Sequence, residues 1–340
     1  MLALKIEKSL AQKAKEALVQ ANAMAHGFKA KRTGKFVFFP ASKKIPFKFK
    51  HEFVETRLER VEQIKPLREL LEEILSAREL GKLVASYDIV GTIGLIDVPK
   101  SLLKKKKVIA RIMLESNKRL TTVLRKVGKR KGVFRLKKYE WLAGKKTFET
   151  VHRESGCSFK VNLAKEYFSS RLVSERERIA AKAKNGEKIL ALFAGVGPFP
   201  IVIAKRKSVS ITAVELNPHA ARLMGENAVL NKLENRIQPF HGDAKVYAER
   251  FGGWADRILM TLPYGSEKFL DAVVKNAKKG CVIHYYNLGG EREGVFSKAL
   301  KQIAAVCKKR KRKFEVLEKR IVLPYAPRVF HLALDFKLLN

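Results

Sequence analysis

The 340-residue sequence has few cysteines and no long apolar stretch. Its three cysteines, Cys157, Cys281 and Cys307, are far apart and match neither a disulfide framework nor a set of metal ligands. No apolar run approaches the length of a membrane span, and the lysine-containing N-terminus lacks the apolar region of a signal peptide. We therefore expect a reduced, cytoplasmic protein with no bound metal and no membrane association.

Acidic residues are scarce as well. The 33 Asp and Glu residues face 71 Lys and Arg, which gives a formal net charge of +38 and a pI near 10.2. Because the excess is spread over the whole chain, it favours a polyanionic partner, and nucleic acid is the leading candidate. The alternative is an organism in which all protein surfaces are shifted towards lysine.

The pattern of the chain changes along its length. A helical pattern over roughly 4–25 and a strand over Lys35–Phe39 predict a small α+β module at 1–60, followed by a charged linker at 61–80. Paired strand-like runs and a cation-rich segment at 126–144 predict a second α+β domain over 81–175.

Strand and helix patterns alternate from residue 176, which predicts a doubly wound, parallel α/β sheet over 176–340. IQPFHGD and RILMTLP are interpreted as consecutive strands with no helix between them. Two final strands around Tyr325-Ala326-Pro327 predict an antiparallel hairpin at one edge of this sheet.

A glycine turn in LALFAGVGPFP, at 190–200, joins an apolar strand to a helix. Such a turn presents backbone N–H groups to nucleotide-like ligands. Twenty residues beyond Gly195, Glu215 ends the next strand, where its carboxylate can accept both hydroxyls of a ribose. Asp243 and the 261–264 segment follow the next two strands, so we expect all four segments at the carboxyl edge of the sheet.

Pro200 stands where a nicotinamide-binding turn usually has its third glycine, so the turn favours S-adenosyl-L-methionine as the cofactor. That cofactor has no pyrophosphate, but it has a ribose for Glu215 and an adenine within reach of Asp243. The residues expected to bind it from these segments are Phe193, Ala194, Gly195, Val196, Gly197, Glu215, Leu216, Asn217, Asp243, Ala244 and Thr261.

The segments FAGVGPF, VELNP, YFSSRLVSER and YDIVGTIGLIDVP together resemble the archaeal and eukaryotic tRNA (guanine-37 N1)-methyltransferases, over nearly the whole chain. The resemblance implies a Rossmann-like class I methyltransferase domain over 176–340, preceded by an RNA-binding domain. It implies that the small first module recognises the outer corner of tRNA, while the other two domains grip the anticodon stem-loop. It further implies methylation of N1 of guanine 37 with S-adenosyl-L-methionine. We also expect a monomer and no DNA partner.

The reaction needs a base for the N1 proton and a cation for the charge that builds on O6. The resemblance assigns these roles to Glu175 and Arg135. A helix-terminal or salt-bridged carboxylate and a phosphate-binding arginine are the alternatives. By resemblance, Tyr167 and Arg171 lie near the cofactor or the target base. The expected catalytic residues are Glu175, Arg135, Thr261 and Pro263.

Two residues depart from the pattern of the family. Ala191 stands where an aspartate is usual, and Thr261 stands where an asparagine is usual. Threonine has a short hydroxyl in place of a rigid amide that both donates and accepts. Two alternative functions therefore stay open, a wybutosine-pathway transferase (aminocarboxypropyl transfer, or C7 methylation of the tricyclic base) and a non-catalytic, basic RNA-binding protein.

Overall fold

The computed structural model describes residues 1–60, 67–83 and 87–340. The chain divides into two units, Met1–Glu69 and Leu70–Asn340. Of the linker predicted at 61–80, residues 61–66 lie outside the described part, whereas Leu67–Glu72 and Ala77–Lys82 are helical. No helix in the described ranges is both long and apolar enough to cross a membrane.

The first unit is an antiparallel sheet with one helix. Its elements are β1 (Leu2–Glu7), α1 (Ala11–Gln20), β2 (Lys31–Thr33), β3 (Phe36–Pro40) and β4 (Glu52–Glu55). The strands lie in the order β2-β3-β1-β4, around a small core that includes Leu4, Ile6, Leu18 and Val37. The helix predicted over 4–25 is wrong at its beginning, because Leu4 and Ile6 alternate with Lys5 and Glu7 and form a strand.

The second unit begins with short helices and two small sheets. The elements up to residue 182 are α2 (Leu67–Glu72), α3 (Ala77–Lys82), β5 (Asp88–Val90), β6 (Ile93–Ile96), α4 (Lys106–Ser116), β7 (Thr122–Lys131), β8 (Leu136–Gly144), β9 (Glu149–Glu154), β10 (Cys157–Asn162) and α5 (Val173–Lys182). Strands β5, β6, β7 and β8 form one sheet in that order, and β9 pairs with β10. The paired strands expected in this region are confirmed.

A seven-stranded sheet follows. Its elements are β11 (Lys188–Leu192), α6 (Pro198–Arg206), β12 (Ser210–Glu215), α7 (Pro218–Leu230), β13 (Ile237–His241), α8 (Ala244–Arg250), β14 (Arg257–Met260), α9 (Glu267–Asn276), β15 (Val282–Gly290), α10 (Ser297–Lys309), β16 (Phe314–Ala326) and β17 (Val329–Leu338). The order is β13-β12-β11-β14-β15-β17-β16, with parallel pairing up to β15. The doubly wound sheet and its antiparallel hairpin, β16–β17, are confirmed.

The prediction of two consecutive strands at IQPFHGD and RILMTLP is wrong, because helix α8 lies between them. Its N-cap is Asp243, whose carboxylate accepts a hydrogen bond from the backbone N–H of Lys245 at 2.7 Å. An aspartate directly after a strand is typical of both a ligand and a helix N-cap, and the N-cap interpretation predicts α8.

The core of the second unit crosses the predicted domain boundary at residue 175. Ile93 and Leu124, from the four-stranded sheet, belong to the same hydrophobic cluster as Phe159 and Ile179. The boundary itself falls inside α5. This shared core fixes the β7–β8 hairpin relative to the seven-stranded sheet, which matters for the site described next.

Candidate active site

The seven-stranded sheet changes its direction of growth at β11, which lies between β12 and β14. In such sheets the connections leave a crevice outside the carboxyl ends of the central strands, where ligands bind. The glycine turn, Glu215, Asp243 and the 261–264 segment follow β11, β12, β13 and β14, which are adjacent and parallel. The structure therefore brings the four segments to one edge, as expected.

The glycine turn has three residues with positive φ, Phe193 at 60°, Gly195 at 57° and Gly197 at 87°. A Cβ on Gly197 would lie 3.0 Å from Met224 Cγ, so the turn needs glycine there. A Cβ on Gly195 would meet only the carbonyl oxygen of Tyr167, at 3.9 Å. The backbone at Gly195 is thus accessible to a ligand.

Ala194 and Val196 support this turn through their backbone. The N–H of Ala194 donates to the carbonyl of Val214 at 3.0 Å, and the carbonyl of Val196 accepts from the Asn227 amide at 3.0 Å. Both side chains are buried. These two predicted cofactor residues therefore shape the turn, and their side chains face the core.

Glu215 is held by the turn it faces. The N–H of Gly195 donates to Oε2 and the N–H of Asn217 donates to Oε1, both at 2.8 Å. A carboxylate accepts about four hydrogen bonds, so acceptor positions stay open for a ribose diol. Burial raises the pKa of Glu215 above its usual value, although the two N–H donors oppose the rise. The arrangement fits a nucleoside.

Asn217 and Asp243 both cap helices. Asn217 Oδ1 accepts from the N–H of His219 at 3.0 Å, and Asp243 Oδ1 accepts from the N–H of Lys245 at 2.7 Å. In the described part of the chain no hydrogen bond is made to Oδ2 of Asp243, so this oxygen stays available at the carboxyl end of β13. The capping role does not conflict with the predicted contact to adenine.

Leu216 and Ala244 complete the predicted cofactor set after β12 and β13. Leu216 is exposed and presents an apolar side chain beside Glu215, while its carbonyl accepts from His241 Nε2 at 3.1 Å. Ala244 is buried at the first position of α8. Of these two residues, only Leu216 exposes a side chain that could pack against a ligand.

Thr261 holds the glycine turn rather than facing outwards. Its hydroxyl donates to the carbonyls of Phe193, at 3.1 Å, and Leu192, at 3.3 Å. Since this proton is used on the backbone, Thr261 does not have it free for a target base. Pro263 lies two residues further on and is half-buried.

Arg135 is brought to this edge from the turn between β7 and β8, where its φ is 53°. Its guanidinium carbon lies 4.8 Å from the centre of the Tyr264 ring, and Nη2 donates to the hydroxyl of Tyr325 at 3.2 Å. Tyr264 belongs to the segment after β14. The predicted catalytic cation and the cofactor segments therefore meet, although sequence analysis missed both tyrosines.

Glu175 is buried in the first turn of α5. The hydroxyl of Tyr286 and Nη2 of Arg178 each donate to Oε1 at 2.6 Å, while Arg320 Nε lies 3.3 Å from Oε2. Tyr286 lies on β15, one residue beyond the position that pairs with Met260 at the end of β14. Glu175 is thereby connected to the carboxyl edge through Tyr286.

Arg178, Asp335 and His284 form a buried hydrogen-bonded cluster next to Glu175. Arg178 also donates to Asp335 at 2.5 Å, and His284 Nδ1 lies 2.6 Å from the same carboxylate. Burial alone would raise the pKa of Asp335, but the bonds from His284 and Arg178 hold it far below its usual value. Burial opposes the charge of Arg178, yet Glu175 and Asp335 raise its pKa above the usual value. Sequence analysis missed this group because strand pairing and helix packing assemble it.

His331, on β17, lies near the Glu175 carboxylate and beside the ring of Tyr286. Its ring centre is 5.6 Å from that of Tyr286, and its Nε2 is buried without a hydrogen-bond partner among the described residues. Burial lowers the pKa of His331 to about 4, although the charge of Glu175 opposes the fall. The imidazole is therefore neutral near pH 7.

Tyr167 and Arg171 precede α5. The carbonyl of Tyr167 lies over the glycine turn, as described above, and its side chain is largely exposed. Arg171 Nε makes an ion pair with Asp88 of β5 at 2.6 Å. The predicted contact of Arg171 with the cofactor or the base stays a prediction.

Three family models match consecutive parts of the chain. They are the tRNA methyltransferase 5 N-terminal domain over 3–47, the TYW2 N-terminal domain over 67–147 and the TRM5/TYW2 methyltransferase domain over 150–317. The tRNA (guanine(37)-N(1))-methyltransferase Trm5b of Pyrococcus abyssi is 36% identical over 99% of this chain and 98% of the relative.

The chain belongs to the TRM5/TYW2 methyltransferase family.

Solved structures agree with this assignment. The crystal structure of Trm5b from Pyrococcus abyssi has a TM-score of 0.74 and 34% identity, with full coverage of both chains. A complex of aTrm5 with tRNALeu has a TM-score of 0.72 and 32% identity, again over both whole chains. Trm5 of Methanocaldococcus jannaschii in complex with adenosine has a TM-score of 0.67 and 32% identity, also over both whole chains.

Similarity over its whole length to tRNA (guanine(37)-N(1))-methyltransferases identifies the chain as an S-adenosyl-L-methionine-dependent tRNA methyltransferase. The fold class, the cofactor and the RNA partner expected from the sequence are confirmed at this level. The individual site residues, and the way in which they act, are the subject of the proposal that follows.

Proposed function

We propose that this chain transfers the methyl group of S-adenosyl-L-methionine to N1 of guanine 37 in tRNA. The observation that carries the proposal is the position of Arg135. A hairpin outside the seven-stranded sheet presents this cation 4.8 Å from Tyr264, beside the edge at which Glu215 and the glycine turn can hold a nucleoside. A cation is needed there because negative charge builds on O6 of guanine as the N1 proton leaves.

Glu175 is the proposed general base. Tyr286 and Arg178 both donate to its Oε1, while Oε2 accepts from Arg178 Nε at 3.0 Å and lies 3.3 Å from Arg320 Nε. The side chain of Arg320 is 43% exposed. When the side chain of Arg320 moves aside, the second lone pair of Oε2 can accept the N1 proton, while Tyr286 and Arg178 keep the carboxylate in place. Active-site hydrogen bonds often tighten or exchange when the substrate binds, so this step needs only a local change.

The cofactor supplies an electrophilic methyl group on a sulfonium. Glu215 would hold its ribose, the backbone of the turn at 195–197 would lie against it, and Asp243 would reach its adenine. Thr261 fixes the turn from behind through Phe193. In this arrangement the side chains bind and orient, and Glu175 alone moves a proton.

The group proposed to be transferred from S-adenosyl-L-methionine is the methyl group and not the aminocarboxypropyl group. The tRNA(Phe) (4-demethylwyosine(37)-C(7)) aminocarboxypropyltransferase of Pyrococcus horikoshii is 32% identical and matches 98% of its own length, but it covers only 82% of this chain. Trm5b of Pyrococcus abyssi covers 99% of it, and residues 3–47 match a tRNA methyltransferase 5 domain. The presence of this first domain supports methyl transfer.

The proposal is tested by incubating the chain with an unmodified tRNA transcript and S-adenosyl-L-methionine. Nuclease mapping and mass spectrometry of the product should show one methyl group on N1 of guanine 37. A transcript with adenine at that position is the matched control and should stay unmodified. A product formed only on pre-modified tRNA would contradict the proposal and favour the wybutosine branch.

A further inference from the structure

Three side chains from three separate elements meet at the rim of the active site. Tyr264 follows β14, Tyr325 lies near the end of β16, and Arg135 lies in the β7–β8 turn between them. The guanidinium covers one face of the Tyr264 ring at 4.8 Å and donates to the Tyr325 hydroxyl at 3.2 Å. Each tyrosine thus contacts the same cation in a different way.

Both tyrosines remain open to solvent in spite of these contacts. Tyr264 is 62% exposed and Tyr325 is 42% exposed. With one face of its ring against Arg135, Tyr264 leaves an aromatic surface uncovered beside the crevice. Exposed aromatic rings next to guanidinium groups are the surfaces on which unpaired nucleic-acid bases stack.

The side chain at 261 does not have its hydroxyl proton free to donate to a base. The hydroxyl of Thr261 donates to the backbone carbonyls of Phe193 and Leu192. A base at this edge needs donors and contact area from neighbouring groups, and Tyr264 is the exposed aromatic residue of the same segment.

We propose that Tyr264, Arg135 and Tyr325 form a stacking platform for an unpaired RNA base that adjoins the target guanine. Tyr264 supplies the stacking face, Arg135 stiffens it by a cation–π contact, and the Tyr325 hydroxyl fixes the guanidinium plane. Tyr264 lies three residues beyond Thr261, away from the end of β14, so its ring meets the neighbouring base rather than the target. The inference rests on the proposed function for the identity of the target.

The platform has a consequence for the substrate. Any base can stack on an aromatic ring, but the base has to be unpaired. A paired base would first have to break its base pair and its stacking in the helix, which costs free energy. The site should therefore select a loop, and the base next to the target should contribute to affinity whatever its identity.

The test uses the full chain and two anticodon stem-loop RNAs that carry 2-aminopurine on the 5′ or the 3′ side of the target. Wild type should quench the fluorescence of one of the two probes. Y264L should abolish this quenching and weaken RNA binding roughly tenfold or more, the scale of one base–aromatic stack. Y264F keeps the ring and should behave like wild type.

A second pair of variants separates stacking from simple positioning of Arg135. If Tyr264 only orients the guanidinium, Y264L should have no further effect in an R135A background. The platform predicts instead that Y264L still reduces quenching there. Calorimetric titration with S-adenosyl-L-methionine should give unchanged affinity for every variant, which shows that the cofactor site is intact.

Equal quenching by wild type and Y264L, or no quenching of either probe by wild type, would overturn the platform. Neither readout requires turnover. A chain that forms no methylated product would contradict the proposed function, whereas the binding data alone decide the platform.

Discussion

The contacts of Glu175 are compatible with two roles, a structural ion-pair partner and a general base. Arg178, Arg320 and Tyr286 give it the appearance of a structural ion-pair partner, while its link to the carboxyl edge of the sheet makes it the candidate base. The sequence motif alone does not separate these roles, because both need a carboxylate in the first turn of a helix. A substitution that keeps the shape and removes the charge does separate them.

We expect Glu175→Gln to lower the single-turnover methylation rate by roughly a hundredfold or more, since an amide cannot accept the N1 proton. The affinities for tRNA and S-adenosyl-L-methionine should stay close to those of wild type. Glu177→Gln is the matched control on the same helix, because Glu177 pairs with Arg206. A normal single-turnover rate for Glu175→Gln would remove this residue from the mechanism.

Asp243 and Asn217 show where prediction from residues stops. Their positions after strands predict ligands, and in the structure both cap helices. A cap and a ligand use the same short polar side chains at the same places, so the sequence pattern is identical. Tyr264 and Tyr325 escaped prediction for a different reason, because only the folded chain brings them to Arg135.

At the scale of elements, the alternation of strands and helices after residue 176 predicted the sheet well. The central strands β11, β12 and β14 are largely buried, so the pattern that predicts them is local. The predicted helix is wrong at β1 because six residues, LALKIE, are too few to distinguish a helical from a strand pattern. The buried cluster of Arg178, His284 and Asp335 could not be predicted from the sequence. Antiparallel pairing of β15 with β17, which are distant in the chain, places Asp335 opposite His284.

The pairing of β15 with β17 also buries His331, and this gives a pH dependence. The pKa of His331 is lowered to about 4 in the folded chain, against roughly 6.5 when unfolded. Between these values the unfolded state binds more protons, so the free energy of unfolding rises with pH and is lost as pH falls from 6.5 towards 4. The loss attributable to His331 is up to about 3 kcal/mol.

His331→Leu removes the titrating group while keeping an apolar side chain. Urea unfolding at pH 7.5 and pH 5 should show a smaller difference in the free energy of unfolding for the variant than for wild type. An unchanged difference would mean that His331 is not the group responsible.

At the scale of the whole molecule, charge is the dominant feature. Even if each of the 33 acidic residues neutralised one cation, 38 of the 71 cations would remain. This excess can be predicted from composition alone. Which of the cations lies at the active site cannot, because only the folded chain places Arg135 beside Tyr264. The surplus matches a partner with a phosphate backbone.

We expect the affinity for tRNA to fall steeply with salt, because each neutralised phosphate releases counterions. For six to ten phosphate contacts, the loss between about 50 and 200 mM salt should be on the order of a thousandfold or more. Binding of S-adenosyl-L-methionine, measured in the same buffers, is the control and should change little. A flat salt response for tRNA would contradict polyanion binding.

The central claim is that the edge formed by β11, β12, β13 and β14 delivers a methyl group to a tRNA guanine. The most direct measurement uses S-adenosyl-L-methionine labelled either in its methyl group or in its carboxyl group, with unmodified tRNA carrying guanine 37. The account predicts that only the methyl label enters the RNA, and that it is recovered as N1-methylguanosine. Transfer of the carboxyl label, or of neither label, would contradict it.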